Sequence, residues 1–495
     1  MLNVAGFNKA GQYNNFFWIA VCGIILVVNF FRFMYLDKIP WGYHADESAS
    51  SLSISCMAEA NIGGRGVHWP MFDDLSFGTP KPIIYTFFGA QWVKVFSNSR
   101  AAIRAISVFF ACVAVVGIFF LGALISGRRA GLAAALCASI SPWAWTFSRH
   151  AYESIMGPCF LVWGIYFFLR NEKWIGQIIA GILISWSMYC YPPMRMYIPL
   201  VFGVLFFYRK QLTGRVYSWK AFSIFSVSFL IMSIPIIQGI LNGSLQTRFN
   251  RISIFSKLYW EEQHLSPNKW EILQMFVRNY FSHFDPYFLF YKGSTNVMHS
   301  TGFPGQILSW VDTCALLGGI ILLINYLLNR KRPAEEKHNI NGVWLKVLII
   351  LILLGMLPAA VTSECPHALR FLIAWPFVML LSGWLWDKIM DWGKLFGLLF
   401  LLVAVLFSSL FLYDYFHGYR DRSKGMFTYW LLEAAEAAKT PMDWAKVIVQ
   451  YYWSDTSRYY LMYYGKDKCM QSYEHWAPVS AWYRDQLKKQ GQPVR

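Results

Sequence analysis

The feature that most constrains this chain is a succession of apolar runs, each near the length that a bilayer demands. A spanning helix needs about 20 mostly apolar residues. Eleven runs meet or approach that length, near 16–36, 102–125, 130–147, 156–169, 174–190, 194–207, 221–240, 307–328, 343–361, 370–386 and 394–413. Of the 495 residues, 56% are hydrophobic and only 14% charged. A soluble fold of this length could not hide so much apolar surface. The fold class expected is therefore a polytopic α-helical membrane protein with about eleven transmembrane helices.

The run at 82–97 is a twelfth temptation, but it is short and carries Gln91 and Lys94. Charge decides against it. Without it, the even-numbered connections are SGRR (126–129), RNEK (170–173), YRKQLTGRVYSWK (208–220), NRKRPAEEKH (329–338) and WDKIMDWGK (386–394), and every one holds Lys or Arg. They form the basic set expected in the cytoplasm, so 82–97 reads as a helix lying in the outer interface. The first run, with Lys9 before it and no small-residue cleavage signal after it, reads as an uncleaved anchor. The N-terminus is then cytoplasmic and the C-terminus extracytoplasmic. Two units are expected: a membrane domain over 1–413, with outer loops at 37–101 and 241–306, and a small α/β segment over 414–495. In that tail GMFTYWLLEAAEAAK suggests a helix and WAKVIVQYYW a strand. The net charge of +17 is explained by basic loops beside anionic lipid, so no nucleic-acid partner is expected. The nine cysteines show no metal-ligand spacing and no disulfide framework.

With this threading, ionisable residues collect at the outer ends of helices, where they are expensive and mark a functional site by default. The first outer loop brings Asp46, Glu47, Asp73, Asp74 and Lys81; "FSRHAYESI" brings Arg149, His150 and Glu153; "CYPPMR" brings Arg195; "SECPHALR" brings Glu364, His367 and Arg370. A carboxylate can take the proton of an attacking hydroxyl, and cations can hold a phosphate and the charge that grows on it as it leaves. Acids and cations on one outer face fit group transfer from a lipid phosphate to an acceptor outside the cytoplasm. Each residue also has a plain structural use. Asp46 could cap a helix running from Glu47 to about Ala60, and Asp73-Asp74 could be a solvated turn. Glu153 could pair with Arg149, Arg195 could anchor at the interface, and His150 and His367 could simply hydrogen-bond.

The order of these segments carries a likeness. One helix is followed by "GYHADESA", then "GTPKPIIYTFF", then "SRAAIRAIS" and "SPWAWTFSRHAYESI". This order resembles the GT-C glycosyltransferases, in particular the branch of protein O-mannosyltransferases and the lipid A aminoarabinose transferase, over roughly 15–210. "FLFYKGSTNVMHSTGFPGQ" and "PHALRF" resemble the family more loosely. The resemblance implies that Asp46 is the catalytic base, with Glu47 orienting the acceptor or helping to bind a metal, and with Glu153 as a second acid where many members have Asp. It implies Lys81, Arg195 and Arg370 as ligands of the carrier phosphate; Asp73, Asp74, His150 and His367 are secondary candidates from their place on the outer face alone. The implied reaction is an inverting transfer of one sugar from a polyprenyl-phosphate carrier to a protein, lipid or glycan acceptor. Members differ over a divalent metal ion, which stays open here. A transporter or flippase of lipid-linked solutes is the alternative. It would place charge at mid-membrane on broken helices, whereas the charges here sit at helix ends.

Overall fold

The computed structural model describes residues 15–438 and 443, except 64–67, 77–78, 171–172, 214–217, 295, 297, 329–339 and 428. The described residues are helical almost throughout. Helix α1 (Asn15–Phe31) leads to α2 (Ala45–Ala60), a hairpin of β1 (Phe72–Ser76) and β2 (Thr79–Pro82), and α3 (Ile84–Val95). Then come α4 (Arg100–Ser126), α5 (Arg128–Ile140), α6 (Pro142–Ser148), α7 (Met156–Arg170), α8 (Trp174–Cys190), α9 (Pro192–Thr213) and α10 (Trp219–Leu241). Three short helices follow: α11 (Thr247–Ile252), α12 (Lys257–Glu262) and α13 (Lys269–Ser282). The last third comprises α14 (Trp310–Leu328), α15 (Ile340–Gly355), α16 (Leu357–Ala360), α17 (Ala368–Phe371), α18 (Trp375–Met390), α19 (Lys394–Asp414), α20 (Arg420–Arg422) and α21 (Tyr429–Ala437).

A helix stands at each of the eleven apolar runs. Among the described residues, however, five helices are long and apolar enough to cross a membrane, or six if α5 and α6 form one span. Helices α1, α8 and α14 are apolar but shorter. The α5–α6 pair bends by 59°, because Ser141 ends α5 in extended backbone and caps α6, whose first residue is Pro142. Proline is favoured there, since the missing N–H would have no partner anyway. Helix α3, at the ambiguous run, has only twelve residues, too few to cross.

Small residues let the central helices approach closely, as membrane helices require. A Cβ added at Gly383 of α18 would stand 2.4 Å from the Ala134 nitrogen of α5, and one at Gly131 of α5 would stand 2.5 Å from the Phe119 carbonyl of α4. The α4–α5–α18 unit is thus held backbone to backbone. At one end of it Arg129 pairs with Asp387 (3.3 Å) and Asp391 (3.1 Å), which joins two of the basic connections. At the other end the connections after α1, α6, α8, α16 and α19 meet. The tail helix expected from GMFTYWLLEAAEAAK is α21, whereas the expected strand WAKVIVQYYW lies outside the described residues.

Candidate active site

The loop between α1 and α2 is irregular backbone at the end of a bundle, so its carbonyls need donors. Two arginines supply them, Arg104 and Arg149, and a third, Arg32, ties the start of the loop to α5; all three side chains are fully buried. Arg149 donates to the carbonyls of Arg32 (2.6 Å), Met34 (2.8 Å) and Ile39 (3.0 Å), and its Nε to the Tyr415 hydroxyl (3.1 Å). Arg104 donates to the carbonyls of Leu36 (2.9 Å), Pro40 (2.9 Å) and Gly42 (2.8 Å). Arg32 reaches back to the carbonyls of Ala138 (3.1 Å) and Ser139 (2.8 Å) at the end of α5.

Glu47 closes this clasp. Its Oε1 accepts from Arg104 Nε (2.9 Å) and the Ala151 N–H (2.8 Å), and its Oε2 from Arg104 Nη2 (2.9 Å) and the His44 N–H (3.1 Å). Burial pushes this carboxyl up, but the Arg104 guanidinium overcomes that and holds it below the ordinary value. With four donors and no exposed surface, Glu47 has no lone pair left for an acceptor or a metal. The expectation that it orients the acceptor or binds a metal is therefore revised: Glu47 pins α2 to α4 and to the 149–152 turn.

Helix capping is corrected as well. The helix starts at Ala45, and its cap is His44, whose Nδ1 accepts the Asp46 N–H (3.3 Å) while Glu47 completes a capping box. Asp46 itself is released from that duty. Its carboxylate lies 3.7 Å from His44 Nδ1 and keeps 23% of its side-chain surface exposed. The neighbour Glu47 is the anchor and Asp46 the presented acid.

Tyr191, the residue between α8 and α9, feels the charge of several of the other ionisable groups. Burial pushes its phenol up; the charges of Arg370 and Arg248 act against that, and those of Glu153 and Asp46 add to it. Tyr191 thus stands within electrostatic reach of two acids and two arginines drawn from four separate connections. Arg195, in the first turn of α9, donates through Nε to the Met188 carbonyl (3.4 Å) and stands in the field of Glu153. Its Nη2 is buried without a hydrogen-bond partner, which is costly unless a ligand supplies one. Arg370 is mostly buried and held by the Thr362 hydroxyl (2.6 Å) and the Glu364 carboxylate (3.1 Å).

Histidines line the same end. His367 caps α17: its Nδ1 accepts the Arg370 N–H (3.3 Å), so the proton sits on Nε2, 3.5 Å from Glu364. His299, absent from the sequence-based set, packs its ring 4.7 Å from that of His367. His150 is buried, with Nδ1 on the Tyr152 hydroxyl (3.0 Å) and its ring 5.1 Å from Phe427. Burial pushes His150 down to about 3 and His367 to about 4, so both are neutral at pH 7.

Two further expectations change. Asp73 and Asp74 lie in strand β1 and not in a turn, and Asp73 is the register partner of Lys81 in β2. Arg149 gives its donors to carbonyls and Tyr415, so it is not the structural partner that the sequence offered for Glu153. The sequence reasoning missed Arg104, Arg32, Tyr191 and Arg248. A charged residue inside an apolar run was a usable signal for Arg104, in "SRAAIRAIS", and for Arg32, in the run 16–36; nothing local marks Tyr191 or Arg248.

Residues 80–237, which run from β2 through α10, match the family model described as dolichyl-phosphate-mannose-protein mannosyltransferase. The likeness to the GT-C glycosyltransferases is borne out there. The matched stretch holds Lys81, Arg104, Arg149, Glu153, Tyr191 and Arg195, while Asp46 and Arg370 lie outside it. Among solved structures, ArnT from Cupriavidus metallidurans bound to undecaprenyl phosphate is similar with a TM-score of 0.47 and 11% identity, over 90% of this chain and 84% of that one. The oligosaccharyltransferase AglB from Archaeoglobus fulgidus, in complex with an inhibitory peptide and a dolichol-phosphate, is similar with a TM-score of 0.47 and 13% identity, over 94% of this chain. This chain spans 61% of the oligosaccharyltransferase's length. No curated protein matches the chain.

Proposed function

We propose that this integral membrane protein is a glycosyltransferase that moves a single sugar from a polyprenyl-phosphate carrier to an acceptor hydroxyl on the extracytoplasmic face, with inversion. The observation that carries the reading is that Asp46 stays partly exposed while its neighbour Glu47 is locked to Arg104, and that an Arg195 nitrogen is buried without a hydrogen-bond partner. A partly exposed acid and an unsatisfied cation suit a reaction that makes a proton and a phosphate anion together.

In the step proposed, the acceptor oxygen attacks the anomeric carbon from the face opposite the carrier. Asp46 takes the hydroxyl proton as the new C–O bond forms. The bond from that carbon to the phosphate oxygen breaks, and its electron pair leaves with the polyprenyl phosphate, which gains one negative charge. Arg370 and Arg195 stabilise that charge, and Lys81 is a further candidate ligand of the phosphate. Glu153 holds Arg195 in place, while His150 and His367 shape the surroundings, and Asp73 and Asp74 remain secondary candidates. One displacement inverts the configuration. A divalent cation does not fit the residues well, because Glu47 is saturated and, among the described residues, no three His, Cys, Asp or Glu groups stand together as a metal site. No step is routed through one.

The deciding experiment incubates purified protein with a panel of polyprenyl-phosphate sugars and an acceptor extract, and measures which donor is consumed. Asp46→Asn is expected to lower turnover by about 10²–10⁴-fold with an unchanged unfolding temperature. Turnover near that of the wild type would reject Asp46 as the base, and consumption of no donor would reject the transferase reading.

A further inference from the structure

Helix α13 presents two opposite faces of different character. One face holds Asn279, buried, whose amide donates to the carbonyls of Thr362 (2.9 Å) and Ala360 (3.3 Å). Next to it the Tyr280 hydroxyl donates to the Leu353 carbonyl (3.2 Å). On the other face Trp270, Leu273, Val277 and Phe281 recur at helical spacing, and Phe284 follows just past the helix end; their exposures run from 42% to 64%. Arg278 lies at the edge of this stripe.

The docking depth says what covers the stripe. Leu353 and Ala360 belong to the candidate span Gly342–Ala360, so α13 packs against the last turns of a membrane-crossing helix, not above it. That span shows Ile349 on its surface, and α10, another span, shows Leu230, Ile231, Ile234, Ile237 and Leu241. Ile349 stands one turn before Leu353, which accepts from Tyr280 of α13, so the stripe lies beside the exposed apolar surface of that span, with Trp270 and Arg278 placed as interfacial residues usually are. An amphipathic helix of this kind buries its apolar face in the acyl boundary of a leaflet.

The protein-facing side leads to the site. Thr362 pairs with Ser253 in an isolated bridge, and the flanking hydrogen bonds run from Ile254 N–H to the Val361 carbonyl (3.0 Å) and from Ser363 N–H to the Ile252 carbonyl (2.9 Å). The hydroxyl of the same Thr362 accepts from Arg370 Nη1 (2.6 Å). We propose that α13 lies in the leaflet adjoining the Asp46 end, its stripe among the acyl chains, and that through Asn279 and Thr362 it holds Arg370 at the depth of a lipid phosphate. The second half of this statement rests on the function proposed above; the first does not.

The test places a photoreactive benzophenone amino acid at position 277 or 271 of the full chain in vesicles of phosphatidylethanolamine and phosphatidylglycerol. After illumination, lipid adducts are weighed by mass spectrometry. Adducts at 277 should exceed those at 271 by about fivefold or more. Equal labelling at the two positions, or crosslinks at 277 to a second copy of the chain in place of lipid, would overturn the membrane assignment. For the link to Arg370, retention of undecaprenyl phosphate by the purified protein is compared in wild type, Asn279→Ala and Val277→Asp. Each variant should retain it at least threefold less well, and Val277→Asp, changed only at an exposed position, should keep its unfolding temperature in detergent. Wild-type retention in Val277→Asp would break the link. If no donor sugar is ever consumed but the adducts at 277 appear, the function fails and the membrane placement stands.

Discussion

The two adjacent acids after α1 show how one residue frees another. Glu47 is locked into the Arg104 guanidinium and two backbone N–H groups, and that lock fixes where Asp46 points. Removing one partner of a buried ion pair leaves a charge uncompensated, typically at about 3–5 kcal/mol. Arg104→Met is therefore expected to destabilise the protein by about 3–5 kcal/mol, read as a fall in unfolding temperature in detergent. Adding Glu47→Gln should restore only part of the loss, because the carbonyls of Leu36, Pro40 and Gly42 still lack their donor. A loss below about 1 kcal/mol in the single variant would mean that the clasp is not needed. At this scale the sequence revealed the acidic pair but could not assign its two members. Their roles depend on Arg104, 57 positions away along the chain, and on a helix start that His44 sets.

At the scale of elements, the tightest contact is that of α5 with α18. Gly383→Ala would force a methyl to within 2.4 Å of the Ala134 backbone, and backbone cannot move aside as a flexible side chain can. The expected cost is about 1–3 kcal/mol, again as a lowered unfolding temperature. Gly203→Ala is the control: an added methyl there meets no atom within 4 Å, so stability should hold or rise slightly. Equal effects at both sites would contradict the close packing. Helix positions were legible because an apolar run of sufficient length is a local property. The shortness of α3 was legible for the same reason, whereas the break at Ser141-Pro142, inside the single run 130–147, was not read. Which runs are long enough as helices to cross was not, since helix ends depend on caps such as His44, Ser99 and Ser141 and on what the flanking turns bind.

At the scale of the whole molecule, two buried histidines and an exposed carboxylate at the Asp46 end set a pH dependence. His150 is held down to about 3 and His367 to about 4, both chiefly by burial, against an ordinary 6.5. Glu364 is held down to about 2, first by its hydrogen bond to His367 and then by Arg370, against 4.5. In every case the unfolded chain binds the proton at a pH where the folded chain does not. Stability must then fall as pH falls. The unfolding temperature should be level from pH 8 to 7, decline below about 6.5 and decline faster below about 4.5. His150→Phe should flatten the slope between pH 6.5 and 4.5; an unchanged slope would mean that His150 is protonated in the folded state.

The sequence by itself determined that this chain lives in a membrane, where its helices lie and which end gathers acids and cations. Hydrophobic length and charge asymmetry act locally, so they can be read in order along the chain. Only the tertiary structure decided that Glu47 is an anchor and that Arg104, Arg32 and Arg149 donate to backbone carbonyls. A guanidinium buried against carbonyls and one aimed at a phosphate have the same side chain. They differ in the distant groups that folding places around them.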